Sequence, residues 1–141
     1  GPESAKRMDV LLSEPFGRFR AEEFKSMVSW RQVQEKANIS DILRVHEFNY
    51  TQTLKEQCKA LEAKAKEVPG HHLRLDLDTV ITPESYEAAM VAAGAVVKAV
   101  DAVLDGEASN AFCCTRPAGH HAGPRGASRF FPEVGRESES H

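Results

Sequence analysis

No uninterrupted apolar run in the 141 residues approaches the roughly 20 that a helix needs to cross a bilayer. Nor does the start show a basic region leading into an apolar stretch, so no secretory leader is expected. Cysteine is scarce: Cys58, Cys113 and Cys114 are an odd set with two members adjacent, a poor basis for a disulfide framework. Reduced thiols packed as small apolar side chains are expected, in a soluble protein of the nucleus or cytoplasm. Charge of one sign is lacking too. A formal net charge of -3 provides no broad cationic field, which argues against direct binding of nucleic acid or an anionic membrane. Internal repeats are absent.

What remains is ordinary globular material, 41% hydrophobic and 28% charged, with a length that suits one domain and is short for two. Residues 1–37 mix apolar clusters (Val10, Leu11, Leu12; Phe16, Phe19, Phe24; Trp30) with charges, and Pro15 and Gly17 interrupt them, which predicts one or two short helices around a loop. A helical turn is expected near 40–43. A longer helix over 47–68 places Leu54, Cys58, Leu61, Ala65 and Val68 on one stripe before Pro69-Gly70 ends it. Residues 71–81 alternate at Leu73, Leu75 and Leu77 and read as a short strand or an extended loop.

Thr82 as N-cap, Pro83 in the first turn and Glu84 at the positive end of the dipole predict a helix over 83–104. Its apolar residues extend well round the cylinder, as in a helix buried on more than one side. The small run Ala92, Ala93, Gly94, Ala95 would admit a sheet or another helix close to its backbone, and Asp105-Gly106 stops it. Residues 111–115 then read as a buried strand delivering the Pro/Gly-rich loop RPAGHHAGPRG at its carboxyl end. From Ala127 the polar, aperiodic ASRFFPEVGRESESH reads as a disordered or poorly packed tail.

The chemistry lies in that loop. His120 and His121, stiffened by Pro117, Gly119, Gly123, Pro124 and Gly126, can serve as general base and general acid, since free imidazole titrates near neutral pH. An isolated His-His pair is more often a surface accident, because two residues discriminate little. Its surroundings decide the matter. NAFCCTRPAGHHAGPRG at 110–126 resembles the histone deacetylase and acetylpolyamine amidohydrolase superfamily, whose members carry Arg-Pro-Pro-Gly-His-His-Ala after a strand; Ala118 replaces the second proline. Three upstream segments resemble the family in the right order. GPESAKRMDVLL at 1–12 looks like its His-Pro-Glu-x-x-x-Arg segment, with Gly1 in place of histidine. DILRVHEFNYTQTL at 41–54 looks like its Val-His-x-x-x-Tyr helix, and residues 75–104 like its Asp-Thr segment and small-residue helix.

The resemblance implies an α/β fold, part of the three-layer arginase/deacetylase arrangement, mostly helical here with one or two short parallel-type strands over residues 1–126. It implies a zinc-dependent deacetylase acting on acetyl-lysine in histones or other proteins, or on an acetylated polyamine, with a place in chromatin regulation. His120 and His121 would be the catalytic pair, His121 the base and acid. Asp78, Arg7 and Gly119 would contact substrate: Asp78 at the rim, Arg7 near the base of an acetate channel. The residues alone equally allow a turn carboxylate for Asp78 and a solvated arginine for Arg7.

The family's zinc ligands, an Asp-x-His pair and a later aspartate, have no counterpart in residues 127–141, and neither does its oxyanion tyrosine. Asp76 and Asp78 with nearby His71-His72 make a poor substitute. Adjacent residues of an extended segment point to opposite faces, and zinc needs three protein ligands in tetrahedral positions. The expectation is therefore a truncated domain, inactive alone and without tightly bound zinc, whose uncovered helix faces suit a protein partner.

Overall fold

A computed structural model describes residues 6–14, 16–75, 79–119 and 121–127. Two compact units make up the chain, residues 1–33 and 34–141. No helix among the described residues is long and apolar enough to cross a membrane.

The first unit holds α1 (Lys6–Leu12) and two single 3-10 turns, Arg18–Arg20 and Glu22–Phe24, in line with the short helices expected. Gly17 is buried where the chain folds back on the end of α1: its N–H donates to the Ser13 carbonyl, and a Cβ there would sit 2.7 Å from three backbone atoms of Leu11 and Ser13. Arg20 ties the unit together. Its guanidinium lies 3.8 Å from the centre of the Trp30 ring and 3.2 Å from Glu14, a cation–π contact beside an ion pair.

The second unit is built on α3 (Phe48–Ala65) and α4 (Ser85–Leu104), preceded by the short α2 (Ile39–Ile42). The predicted stripe of α3 faces the core: Cys58 and Leu61 are buried with Ile81, and Leu54, Leu75 and Tyr86 pack around them. Val68 falls beyond the end of α3 and is exposed. Between the helices, β1 (Leu73–Arg74) and β2 (Val80–Ile81) pair antiparallel, Leu73 opposite Ile81, which directs Ile81 onto α3.

Helix α4 starts two residues later than its sequence suggests. The Ser85 hydroxyl accepts the Thr82 N–H at 2.9 Å, closing a turn through Pro83 and Glu84, so Thr82 is not the cap. Its far end matches expectation. Gly106 takes φ 75°, Glu107 N–H donates to the Ala102 carbonyl and Gly106 N–H to Val103, the paired bonds of a Schellman stop.

The small-residue run does admit a close neighbour, but the neighbour is neither sheet nor helix. Extended residues 35–37 cross α4 at Gly94, with Ala37 N–H donating 2.9 Å to the Met90 carbonyl and Lys36 paired with Glu87. Met90 and Gly94 are buried there, whereas Val96, Val97, Val100 and Leu104 beyond the crossing are exposed. Burial on several sides therefore fails for the second half of the helix.

Two further expectations need correction. Residues 111–115 form no strand: no ladder partner lies beside them among the described residues, and an extended segment without one is not a sheet element. Phe112 is 73% exposed. The segment leans on α4 instead, where the Cys113 thiol donates to the Ala95 carbonyl at 3.8 Å. Nor are the strands parallel. Both pairs, β1–β2 and the hairpin of β3 (Ala122–Gly123) with β4 (Gly126–Ala127), run antiparallel. Ala127, placed in the tail by composition, pairs with Ala122 in that hairpin.

Candidate functional site

The Pro/Gly-rich loop is a small folded device. A cis Arg116-Pro117 bond enters it, and Ala122 N–H then donates 2.9 Å to the Gly119 carbonyl, closing a tight turn that contains His121. The chain continues directly into β3, reverses over Pro124 and Arg125, and returns as β4, with Gly123 opposite Gly126. Gly126 holds φ 130°, a region L side chains rarely enter, so this turn chemistry depends on glycine.

The hairpin is pinned to the start of α3 by residues far away in sequence. His46 Nδ1 lies 2.9 Å from the Gly123 carbonyl, and since a carbonyl only accepts, the ring nitrogen carries the hydrogen. Next to it, Glu47 N–H donates 2.8 Å to the Pro124 carbonyl. Glu47 is the N-cap of α3 and makes no side-chain cap bond. Because the third helical residue is Tyr50, no glutamate can reach back to the cap N–H as in a capping box, and Pro124 takes that acceptor role. The Tyr50 ring lies under Gly126, 3.2 Å from where a Cβ would be, and tilts against the His46 ring with centroids 5.6 Å apart. Arg125 stands 3.7 Å from Glu47 with both side chains largely in water, a contact worth little.

Of the residues singled out by sequence, the structure brings Gly119 and His121 onto one exposed turn. A Cβ on Gly119 would meet nothing within 4 Å among the described residues. Arg7 lies on α1, its side chain exposed, in the unit of residues 1–33. His120 and Asp78 lie outside the described residues, as do Asp76 and the tail from Ser128. His72 is exposed and half-buried His71 precedes it. The anchoring set of His46, Glu47 and Tyr50 carries no role in the sequence reading, although the Val-His-x-x-x-Tyr spacing was its signal: positions four apart share one side of a helix entry.

Burial raises the pKa of the Tyr50 hydroxyl, keeping it a neutral phenol. It also pushes up the Cys58 thiol, with the Glu84 carboxylate adding, and the Cys114 thiol, with Cys113 adding. Neither is a thiolate nucleophile at neutral pH. Among the described residues no three His, Cys, Asp or Glu side chains come together as a metal-binding group. They supply an exposed imidazole on a backbone turn closed by the Ala122 N–H to Gly119 carbonyl bond.

The histone deacetylase domain family matches residues 1–131. The chain is 42% identical over 94 residues to a histone deacetylase-like amidohydrolase of Pseudomonas aeruginosa, covering 67% of this chain and 22% of that protein. It is 27% identical over 131 residues to histone deacetylase 8 of Arabidopsis thaliana, 87% of this chain and 32% of the relative. To a polyamine deacetylase of Mus musculus it is 37% identical over 81 residues, 57% of this chain and 10% of the relative. The 141 residues thus span between about a tenth and a third of these relatives' lengths.

Proposed function

The chain belongs to the histone deacetylase domain family, and on that premise we propose that it carries the acid–base portion of an amidohydrolase acting on N-acetylated amines. The substrate class is acetyl-lysine in a histone or another protein, or an acetylated polyamine; relatives bearing both kinds of name are similar to this chain. One observation carries the reading: His121 sits in a closed turn whose following hairpin is fixed to α3 by two hydrogen bonds and a ring. A turn so held fixes the backbone from which the imidazole reaches, and proton transfer by a positioned imidazole contributes about 10²–10⁴-fold to rate where it operates.

His121 accepts a proton from water as the water oxygen adds to the acetamide carbon. It then returns the proton to the amine nitrogen as the C–N bond breaks, so that acetate and the free amine leave. His120 assists as its neighbour, while Gly119 and Asp78 contact the substrate. Zinc, where a complete domain binds it, would polarise the acetamide carbonyl. Residues 127–141 contain no Asp-x-His pair, and the 141-residue chain does not turn over alone.

The test is a chimera. The matching stretch of this chain replaces that of the Pseudomonas relative, and hydrolysis of an acetyl-lysine amide is followed. His121→Ala should lower turnover by about 100-fold or more; retention of turnover would remove His121 from the chemistry. The isolated chain assayed with added zinc should show none, and robust turnover there overturns the claim that it is incomplete.

A second reading is favoured by the exposed Val96, Val97, Val100 and Leu104 of α4. It is a non-catalytic interaction module that joins a longer chain of the same family. A compact, stable monomer that ignores such a chain in size-exclusion runs would count against it.

A further inference from the structure

We infer that His46 is a positioning residue: by donating Nδ1–H to the Gly123 carbonyl, it sets where the hairpin carrying His121 lies on α3. What it positions rests on the role proposed for His121; that it positions the hairpin does not.

Gly123 is two residues from His121, and the Gly119-to-Ala122 hydrogen bond ties the intervening turn, so a displacement of the Gly123 carbonyl passes to His121 across two peptides. Three other contacts share the docking. Glu47 to Pro124 is backbone to backbone, so no side chain makes it and it follows wherever the hairpin sits. Arg125 to Glu47 is exposed and weak. Tyr50 supplies a surface under Gly126 without a bond to it. The His46 bond is the partly buried, directional one made by a side chain, across 77 positions of sequence. The contact needs a hydrogen on Nδ1, so the tautomer that carries its hydrogen on Nε2 alone cannot make it.

That geometry distinguishes two amides that a bulk-packing role would not. Asparagine places its Nδ2–H where Nδ1–H of histidine stands, whereas glutamine places its N–H farther out, where Nε2 stands. The experiment uses the isotope-labelled 141-residue protein with His46→Asn, His46→Gln and His46→Leu. It reads imidazole nitrogen shifts and amide hydrogen exchange. In the parent, His46 should show the Nδ1–H tautomer. The glutamine and leucine variants should lose protection at the Glu47 amide by about fivefold, the worth of one hydrogen bond, and should move the His121 ring resonances. Asparagine should restore both.

Amides around Leu61 and Ile81 report whether the core persists. If leucine disturbs them, the asparagine and glutamine pair still decides. Equal behaviour of Asn and Gln, or unchanged His121 resonances in both Gln and Leu, overturns the inference. None of these signals needs catalysis. A chimera indifferent to His121→Ala with the Asn/Gln contrast intact defeats the proposed chemistry alone; the opposite pair of results defeats the positioning role alone.

Discussion

Gly94 and Gly126 each let an extended segment lie against a helix, but they make room for different things. A Cβ on Gly94 would collide with the backbone of residues 35–37, which includes Ala37 N at 2.8 Å and Lys36 C at 2.9 Å as well as the Glu35 carbonyl. At Gly126 the obstacle is the Tyr50 ring, 3.2 Å away, together with a φ of 130°. Backbone held by a hydrogen bond to the same helix cannot yield, whereas a ring can turn by a few tenths of an ångström. The first contact is therefore a fixed part of the fold. The second is an adjustable seat for the hairpin that carries His121.

The largest effect that follows is at Gly94. Alanine there must push the 35–37 segment off α4 and break Ala37 N–H to Met90, at a cost of about 3 kcal/mol, the upper end of overpacking. Urea unfolding should show this as a lowered midpoint. Because the obstacle is backbone, truncating Lys36 should recover none of it, although Lys36 also pairs with Glu87. A loss below about 1 kcal/mol, on the same overpacking scale, would mean that the segment is free to move and the comparison is wrong.

That contrast also shows what the sequence could and could not reveal. Leu54, Cys58 and Leu61 announced their buried side through spacing, and Asp105-Gly106 announced a glycine stop, because both signals are local and periodic. The run Ala92 to Ala95 announced a close approach but not its occupant, since a small-residue patch says how near a neighbour can come and nothing about its identity. Residues 111–115 misled for a related reason. An apolar run has the composition of a strand, yet a strand exists only with a ladder partner, and composition carries no information about partners. At the candidate site the motif marked His121 correctly as part of a turn. The seat beneath it, His46 and Tyr50, is a tertiary contact between segments 77 positions apart and left only the four-residue spacing as a trace.

A middle-sized effect is expected at Gly126. Alanine must enter a φ region that costs of order 1–3 kcal/mol for an ordinary residue, and its methyl also presses on Tyr50. A double-mutant cycle separates the two. Tyr50→Ala in the Gly126→Ala background should recover the steric part and leave the backbone part, giving a coupling of about 0.5 kcal/mol or more. Zero coupling would show that the ring does not touch the hairpin. A coupling that cancels the entire loss would show that φ is unimportant, contrary to the geometry.

The smallest effect belongs to the exposed end of the same docking. Arg125 and Glu47 approach to 3.7 Å, but their side chains are 84% and 56% exposed, so water and salt screen the attraction and two long side chains lose freedom to make it. Arg125→Ala should change stability by no more than about 0.5 kcal/mol and leave the hairpin amides as protected as before. Glu47→Ala removes the same ion pair yet keeps the backbone N–H that reaches Pro124, so it should behave alike. If either substitution loosened the hairpin as much as His46→Leu, the seat would be electrostatic at its rim rather than hydrogen-bonded at its centre, and the distinction between a rigid crossing at Gly94 and an adjustable one at Gly126 would need a different physical basis.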